Sequence, residues 1–435
     1  MSQMKVLING CGVGGPSLAY WLAKIGAQVT VTERTADLRA TGQQLDIRGQ
    51  AIPLLDKMGI KEAVRSVLVK EPGMQIVNEK NKTMAFFPVS SDSKAFSSEY
   101  EIMRGDLVNI LYNATKDDKN VRYEFDNSIE SFTQDDIADP AGKVHVTFAN
   151  GRREDFDMVV GADGVYSQTR KIMMGPKFPE SLVSQKTHFA YYSIPPKPDD
   201  TRRCTFCLFP NKKCLIMRKD REEVTRALAM VHGDYPALTE AYRTGDKAAL
   251  QSAWAEVLRG LGWQAERFRD ALLHSREAAD LYAGAVNFVK LPPGGWSQGR
   301  VTLLGDAAYA STLNGKGTTA AMAAGYVLAG EVAALLAKGE PVGRAVLEGV
   351  ANYETTFRPL AEAAQDTGNA DLGAPLPQSS WGVSMVQWAA RAAAALRLHT
   401  FSLGFVTGDV LDKYTMPTYP ALEASRGDLL RSSTR

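Results

Sequence analysis

The strongest constraint on this chain is a run of glycines between a short strand and a helix near the N-terminus. An apolar run at 5–9 and a helical pattern from about Pro16 to Ile25 enclose four glycines: Gly10, Gly12, Gly14 and Gly15. In such a loop Gly10 permits the tight turn, Gly12 lets the backbone approach a pyrophosphate, and Gly15 allows the helix to pack closely on its strand. Free N–H groups at the helix start would face the anion. The order strand, glycine loop, helix therefore predicts a dinucleotide site in an α/β sheet.

A second, alternating strand at 29–32 follows this helix and ends at Glu33. Glu33 lies near the spacing at which an acid accepts hydrogen bonds from a ribose diol. The alternative is that the glycines only form a turn of an α/β sheet, and it is less favoured because strand, helix and acid are all in register. The pattern does not distinguish FAD from NAD, so that choice depends on other segments.

Length and charge narrow the class of protein. The chain has 435 residues, and single hydrophobic cores stop growing near roughly 250 to 300 residues, so we expect two joined domains and an appendage. Fifty Lys and Arg residues against 49 Asp and Glu residues give a net charge of +1. This balance lacks the basic excess that nucleic-acid binding needs, so no nucleic-acid partner is expected and the partners should be small molecules.

Cysteine usage and the apolar stretches favour a cytoplasmic protein. Cys11 is distant from Cys204, Cys207 and Cys214, which suits a reducing compartment better than a disulfide framework. The apolar N-terminal stretch is interrupted by glycines and lacks a cationic leader. The apolar stretch at 388–406 contains charged residues, which predicts an amphipathic or buried helix and no membrane span.

The C-x-x-C pair of Cys204 and Cys207 could indicate a metal or redox site. The surrounding residues are typical of a strand, in which two side chains three positions apart point to opposite faces. No second ligand pair lies nearby, so we favour plain packing, and no metal site is predicted.

A second informative segment follows the apolar strand 156–160 and reads Gly161-Ala162-Asp163-Gly164. Here the sequence resembles the single-component (class A) FAD-dependent monooxygenases of the para-hydroxybenzoate hydroxylase type. In that family the pattern D-x-x-x-G-A-D-G-x-x-S-x-x-R lies near the flavin pyrophosphate, which would make Asp163 a cofactor-binding residue. The pattern matches at these positions: Asp157, Gly161, Asp163, Gly164, Ser167 and Arg170.

A third segment favours FAD over NAD. The strand 300–304 ends at Asp306, which can bind a ribityl or ribose hydroxyl, and in the family the Gly-Asp-Ala sequence holds the flavin ribityl chain. Gly315, Gly317 and Thr318 then open a long Ala-rich helix, whose positive end would face the pyrimidine edge of the flavin ring. Unlike most of the family, this chain has Tyr309 in place of a histidine, no proline before Gly315 and a loop one residue shorter. The shape of the surface that would contact the flavin ring therefore stays open.

Three arginines complete the predicted cofactor site. Arg104 precedes an apolar helix, where a cation is electrostatically misplaced unless it meets an anion, although a solvated surface arginine is the alternative. The family has an arginine at this place, near the ribityl and phosphate groups. Glu33 and Arg34, followed by 42–48, resemble the adenosine strand and the isoalloxazine loop of the tetracycline-inactivating members, which makes Arg48 a candidate catalytic residue near the flavin.

The predicted fold is α/β, with a Rossmann-like FAD-binding domain of the glutathione-reductase type, an inserted β-sheet substrate domain and C-terminal helices. The expected boundaries are 1–75, 101–175 and 291–370 for the discontinuous FAD-binding domain, 76–100 and 176–290 for the substrate-binding domain, and 371–435 for the C-terminal helical segment. Predicted strands of the inserted sheet are 188–193, 205–209, 214–217 and 226–231.

The substrate residues are harder to identify from sequence. His188, Tyr191 and Tyr192 could contact an aromatic substrate, but aromatic residues in a sheet more often only pack, with polar tips in water. We take Tyr192, with Arg48, as the candidate catalytic pair.

The resemblance implies an FAD enzyme that takes hydride from NADPH or NADH, reacts with O₂ at flavin C4a, and hydroxylates or epoxidises a small aromatic or polycyclic molecule. A flavin-dependent halogenase is a rival, but its W-x-W-x-I-P signature is absent from the sequence. A binding protein of the GDP-dissociation-inhibitor type, which shares this fold without flavin chemistry, is the other alternative. Whether the protein is a monomer or a homodimer stays open.

Overall fold

The computed structural model describes residues 3–38, 42–88, 100–311, 315–365, 373–396 and 414–423. In chain order its strands are β1 (Lys5–Asn9), β2 (Gln28–Thr32), β3 (Gln44–Asp46), β4 (Gly73–Val77), β5 (Thr83–Pro88), β6 (Glu101–Met103), β7 (Val121–Glu124), β8 (Ile129–Gln134), β9 (Val144–Phe148), β10 (Arg153–Phe156), β11 (Met158–Gly161), β12 (Leu182–Ile194), β13 (Cys204–Phe209), β14 (Lys213–Arg221), β15 (Val224–His232), β16 (Tyr282–Val289), β17 (Ser297–Gln298) and β18 (Val301–Leu303).

The helices connect these strands and cover their faces. In chain order they are α1 (Gly14–Lys24), α2 (Ala51–Lys57), α3 (Lys61–Ser66), α4 (Arg104–Asn113), α5 (Gln168–Met174), α6 (Pro236–Thr244), α7 (Lys247–Leu258), α8 (Ala265–His274), α9 (Asp306–Tyr309), α10 (Gly317–Ala337), α11 (Val342–Gln365), α12 (Ser380–Ala395) and α13 (Pro420–Glu423), with 3₁₀ turns at Gly175–Ser181 and Glu277–Asp280.

A mostly parallel sheet carries the N-terminal glycine loop. Its strand order is β17-β18-β11-β1-β2-β7, and β1 pairs in parallel with both β2 and β11. Val6, Leu7 and Ile8 are fully buried because helices α1 and α10 cover one face and the small sheet β8–β10 covers the other. A strand buried on both faces reads as a continuous apolar run, as 5–9 does. The predicted α/β fold class is confirmed.

A second sheet is inserted between the pieces of the first. Its order is β16-β12-β15-β14-β13-β4-β5, antiparallel except for the parallel pair β13 and β4. The four strands predicted from sequence lie within β12, β13, β14 and β15. Helices α6, α7 and α8 cover one face, which we call the back face, where Trp254 and Phe268 are fully buried. The opposite face, which we call the front face, is turned towards the paired strands β3 and β6, because Arg218 on β14 contacts Glu101 on β6.

Alternation along the strands of this sheet separates its side chains. Cys207 packs in the back-face core, whereas Cys204 packs with the front-face residues, as the strand periodicity predicts. All four cysteines are buried and free, and the described residues contain no cluster of His, Cys, Asp or Glu that could hold a metal ion. Val383 and Ala390 of α12 pack on the front face.

Two predicted boundaries can be compared with these elements. Strand β4 begins at Gly73 and belongs to the second sheet, so that sheet starts slightly before the expected boundary at 75. Helices α12 and α13 lie in the predicted C-terminal helical segment, and 397–413 and 424–435 lie outside the described residues, as do 89–99 of the predicted substrate domain.

One described helix, α10, is long and apolar enough to cross a membrane by length and composition. In this fold 78% of its apolar window is buried inside the protein, against α1 and α11. Such burial is typical of a core helix, which passes the same test, so the match is weak evidence for a span.

Candidate active site

The loops that follow β1 and β11 touch each other at the carboxyl ends of their strands. Gly10 has a φ of +119°, and a Cβ there would overlap the carbonyl oxygen of Ala162. The Asn9 side chain donates to Asp163 Oδ2 at 3.0 Å. Only glycine fits this backbone conformation at this distance, so Gly10 serves the turn that brings the two loops together.

Gly14 and Gly15 serve the packing of α1 on the sheet. A Cβ at Gly15 would overlap the carbonyl oxygen of Gly10, and one at Gly14 would overlap the Leu304 side chain beyond β18. These close approaches hold the start of α1 against the strand ends, and its N–H groups then point into the space above them.

Gly12 differs from these glycines because it borders open space. The nearest atom to a Cβ placed there is Arg104 Nη2, at 3.4 Å. Arg104 is half-buried, and among the described residues its guanidinium has no hydrogen-bond or ion-pair partner. A half-buried cation without an acceptor beside an open glycine backbone is the arrangement that a phosphate group would complete.

Asp306 lies at the end of β18, where the third predicted segment begins. Its side chain is exposed and accepts no hydrogen bond from the described residues, although Arg104 and Arg170 are close enough to influence it. Dense surroundings raise the pKa of Asp306, and these two guanidinium groups offset part of the rise. A carboxylate that is both solvent-reachable and closely surrounded lies on the floor of a deep cleft.

The N-terminus of α10 lies beside Asp306 on the floor of the cleft. A Cβ at Gly317 would lie 3.8 Å from Asp306 Oδ1, and Thr318 in the first turn is buried. Gly315, just before the helix, has a φ of +71°, and its Cβ would lie 3.1 Å from Asp46 Oδ2. The positive end of a helix of 21 residues therefore faces the cleft between Asp306 and the β3 strand.

The structure does not bring Asp163 to this cleft. Its carboxylate accepts hydrogen bonds from Asn9, Ser167 and Thr169, and burial raises its pKa. The side chain thus points into the protein and holds the glycine loop against α5. We assign Asp163 as a support of the loop rather than a group that contacts the cofactor.

Arg170, the last residue of the same sequence pattern, is also fully buried. It donates to the carbonyl oxygens of Val165 and Ala307 and to Ser181 Oγ, and desolvation lowers its pKa to about 10. These bonds fix the backbone next to Asp306. The segment that carries the family pattern, from Asp157 to Arg170, therefore supports the loops that face the ligand.

The acid and arginine predicted on the adenosine side lie in different surroundings. Glu33 accepts hydrogen bonds from the Cys11 backbone N–H at 3.0 Å and from Thr35, which places its carboxylate beside the glycine loop at the end of β2. Arg34 is exposed and has no partner in the described part of the chain.

The predicted isoalloxazine loop lies across the cleft from Gly12. Arg48 forms an ion pair with Asp46 at 3.1 Å, and its backbone exchanges hydrogen bonds with Thr319 Oγ1 at 3.0 and 3.1 Å. This clamp fixes the loop to α10. Three buried acceptor atoms on the loop lack a donor among the described residues: Gln43 Oε1, Gln44 Oε1 and Asp46 Oδ1.

These features fit FAD. The pyrophosphate would meet Gly12, the α1 N-terminus and the unpaired Arg104, the ribityl hydroxyls would meet Asp306, and the orphaned acceptors on 43–46 suit the N–H and O–H donors of a flavin and its chain. The residues that would hold the group thus come from the ends of β1 and β18, the start of α4 and the β3 loop.

Tyr192 lies elsewhere. It is fully buried on the back face of the second sheet, where its hydroxyl donates to the Phe268 carbonyl at 3.1 Å. The neighbouring Tyr191 lies on the front face, and its buried hydroxyl has no partner among the described residues. The strand periodicity that placed the pair on opposite faces could not show which face met the cleft.

Sequence reasoning missed a group of charges where the second sheet meets the separate two-stranded sheet of β3 and β6. Arg218 Nη1 lies 3.1 Å from Glu71 Oε1 and 3.0 Å from Glu101 Oε1. Glu101 pairs with Asp46 in the β3 and β6 ladder. The signal in the sequence was an acid, Glu101, inside a short apolar strand three residues before Arg104, since such an acid is rarely left without a partner.

Comparison with known proteins identifies the family. The family model described as "FAD binding domain" matches residues 3–232. The chain is 40% identical to the flavin-dependent monooxygenase eupH of Phoma sp over 430 residues, covering 96% of this chain and 98% of that protein. It is 37% identical to the FAD-dependent monooxygenase asL4 of Sarocladium schorii, covering 97% and 99%. Among solved structures, the tetracycline destructase Tet(51) superposes with a TM-score of 0.74 at 25% identity, covering 96% of this chain and 100% of that one.

The fold and the cleft define an FAD-binding protein, and the chain belongs to the FAD-binding domain family. Because relatives that match over nearly their whole length are flavin-dependent monooxygenases, the protein is an enzyme of this kind.

Proposed function

We propose that the protein uses NADPH or NADH and O₂ to insert one oxygen atom into a small aromatic or polycyclic substrate, by hydroxylation or epoxidation. Bound FAD supplies the redox chemistry, which is acceptance of hydride and activation of oxygen. The observation that carries the proposal is the convergence on one cleft, which the second sheet faces, of Gly12, the exposed Asp306 and Arg104, whose guanidinium has no partner among the described residues.

The chain's own residues then perform binding and exclusion of water. Arg104 and the α1 N-terminus would hold the pyrophosphate, and Thr319 clamps the Arg48 loop to α10 so that one edge of the site is rigid. The front face carries buried apolar side chains, among them Phe206 and Ile216, which pack in one cluster with α12. An apolar wall beside a few fixed polar groups suits an aromatic substrate.

A screen for substrate-stimulated NADPH and NADH oxidation tests this proposal. The purified protein with FAD is mixed with phenolic and polycyclic compounds, including tetracyclines because the Tet(51) structure belongs to a tetracycline destructase, and mass spectrometry looks for a gain of one oxygen atom. Stimulated oxidation with an oxygenated product supports the proposal. Stimulated oxidation that yields only hydrogen peroxide with every compound would contradict it.

Two rivals give different results in the same experiment. A binding protein of the GDP-dissociation-inhibitor type would stay colourless when FAD is added. A halogenase would need a halide ion and would add a halogen atom to the product, which the mass spectrum distinguishes from oxygen.

A further inference from the structure

Helix α12 carries large apolar side chains on the side that faces solvent. Trp381, Met385 and Trp388 are 72%, 51% and 72% exposed, and Leu396, directly after the helix, is 70% exposed. With about 3.6 residues per turn, these four positions fall within an arc of about 80°. The opposite side of α12, which includes Val383, packs on the front face of the second sheet. We call the four exposed residues the outer row.

The outer row has no role in holding α12 in place. Neither Trp381 nor Trp388 contacts another aromatic ring or a cation within the part of the chain that the structure describes. Other exposed large apolar side chains occur singly on other elements, such as Ile137 between β8 and β9. Single exposed apolar residues are common, whereas a contiguous apolar patch marks an interaction surface.

The charge around the outer row is positive. The only charged residue of α12 is Arg391, which is exposed and has no ion-pair partner among the described residues. In the sequence, no Asp or Glu lies between Asp371 and Asp409, and Arg397 follows Leu396. Tryptophans next to cations are typical of helices that lie in a membrane interface, where indole rings sit at headgroup level and cations meet anionic lipids.

A second copy of this chain fits the outer row less well. Packing of α12 on its symmetry mate would bring two copies of Arg391 towards one apolar contact, and neither helix supplies an acid to offset them. Protein interfaces surround their apolar centre with polar groups of complementary charge. Anionic lipid headgroups supply the negative charge that α12 itself lacks.

We propose that the outer row binds the surface of a membrane that contains anionic lipids, with α12 lying in the plane of the interface. The contact is peripheral, because the inner side of α12 stays packed on the second sheet. This interaction goes beyond the proposed function. One consequence rests on that function: lipid would lie about one helix diameter, roughly 10 Å, from the front face, close to the wall offered to an apolar substrate.

Flotation of the full-length, FAD-loaded protein with vesicles measures this binding without turnover. One set of vesicles contains phosphatidylcholine alone, and the other contains phosphatidylcholine mixed with phosphatidylserine. We expect the wild-type protein to bind the mixed vesicles more strongly, and added salt to reduce the difference.

Three variants test which residues bind. Trp381→Ser combined with Trp388→Ser should lower the partition coefficient at least roughly tenfold, because two exposed indoles no longer leave water. Its circular dichroism should match wild type, since both side chains are exposed. Arg391→Gln should weaken binding to mixed vesicles about fivefold and leave binding to neutral vesicles unchanged. Ile137→Ser is the matched control: Ile137 is 56% exposed but lies outside α12, so binding should stay at the wild-type level.

Lipids with brominated acyl chains show where the protein touches the bilayer, because bromine quenches only tryptophans in contact with the chains. Quenching of wild-type fluorescence is expected. Trp381→Phe combined with Trp388→Phe keeps the apolar surface and should still bind, but the quenching should disappear. Three of the remaining tryptophans, Trp21, Trp254 and Trp296, are fully buried.

The proposal is overturned by any of three results: no binding of the wild-type protein to mixed vesicles, no preference for mixed over neutral vesicles, or equal binding by the serine double variant. Analytical ultracentrifugation tests the other occupant. A wild-type dimer that becomes a monomer in the serine double variant, without vesicle binding, would assign the outer row to a second copy and overturn the membrane contact. None of these results alters FAD binding or product formation in the substrate screen, so the proposed function is tested separately.

Discussion

The charges on the two walls of the cleft differ in whether they already have partners. The nucleotide wall consists of the ends of β1 and β18 and the start of α4, and the sheet wall is the front face of the second sheet. On the nucleotide wall, Arg104 has no acceptor and Asp306 no donor among the described residues. On the wall formed by the second sheet, Arg218 is held by Glu71 and Glu101, and Arg226 is likewise held by two acids of its own, Asp220 and Asp280.

This difference separates two uses of charge. An open cation contributes directly to binding an anion, because the ligand replaces water as its partner. A cation already shared between two carboxylates adds little to the affinity for an anion, but removing that cation leaves both carboxylates uncompensated. We therefore expect changes on the nucleotide wall to alter FAD affinity, and changes on the sheet wall to alter proton binding and stability.

The largest expected effect is at Gly12. Gly12→Val places a branched side chain where the backbone must approach the pyrophosphate, and we expect FAD affinity to fall roughly 1,000-fold, or about 4 kcal/mol. The unfolding midpoint should change little, because only the tip of Arg104 lies near the new Cβ. Quenching of FAD fluorescence measures the affinity.

Gly284→Ala serves as the control for Gly12→Val. A Cβ at Gly284 would meet the Phe189 ring at an ordinary 3.7 Å, so both affinity and stability should stay near wild type. Equal loss of affinity in both variants would show that Gly12 has no special place in the site.

The next effect concerns pH. The pKa of Glu71 is raised from its ordinary value of 4.5 to about 7, so the folded state binds more protons than the unfolded state between these values. The stabilising contribution is complete below about pH 4.5 and is lost as the pH rises to about 7, by up to about 3 kcal/mol. Denaturant unfolding at a series of pH values should show this fall in the FAD-free protein.

Glu71→Gln should flatten the same pH dependence, because the amide does not titrate. Glu130→Gln, at an exposed acid of β8, should preserve it. An identical slope in wild type and Glu71→Gln would show that Glu71 is not the group that causes the pH dependence.

Arg104 is expected to have a smaller effect on FAD than Gly12. Arg104→Ala removes one charged donor from the pyrophosphate, which corresponds to about 2 kcal/mol, or about 30-fold in affinity. Arg104→Lys should restore only part of this, since lysine keeps the charge but loses the forked geometry. Arg34→Ala, at the exposed arginine, should cost less than Arg104→Ala, and the reverse order would contradict the placement of the open cation.

The position of the nucleotide wall was largely predictable from sequence, because its residues directly follow strands that the sequence pattern reveals. Gly10, Gly12 and Asp306 each follow a buried strand directly, so the ends of parallel strands bring them together once the strands are recognised. Asp163 shows the limit of this reasoning, because the family pattern located its loop correctly but could not reveal that the carboxylate points inward to Asn9 and Thr169.

The sheet wall was not predictable in the same way. Glu71, Glu101 and Arg218 are far apart in sequence, and their contacts depend on how the second sheet docks against the β3 and β6 pair. Periodicity could show that neighbouring tyrosines face opposite sides, but only docking decides which side is the cleft. Arg48 was singled out only through the resemblance of 42–48 to the isoalloxazine loop of the tetracycline-inactivating members, and its catalytic role stays a prediction.

The smallest expected effect tests which face of the second sheet, that of Tyr191 or that of Tyr192, borders the cleft. Tyr192→Phe removes one buried hydrogen bond, to the Phe268 carbonyl, which should lower the free energy of unfolding by about 1 kcal/mol. It should leave FAD affinity and KM for any substrate found in the screen unchanged, because α8 separates this side chain from solvent on the back face. Tyr191→Phe is the matched comparison: its hydroxyl has no partner among the residues that the structure describes, so stability should hold or rise, while a substrate that bonds to the hydroxyl would show a higher KM. A raised KM in Tyr192→Phe together with an unchanged KM in Tyr191→Phe would mean that the cleft lies on the other side of the sheet.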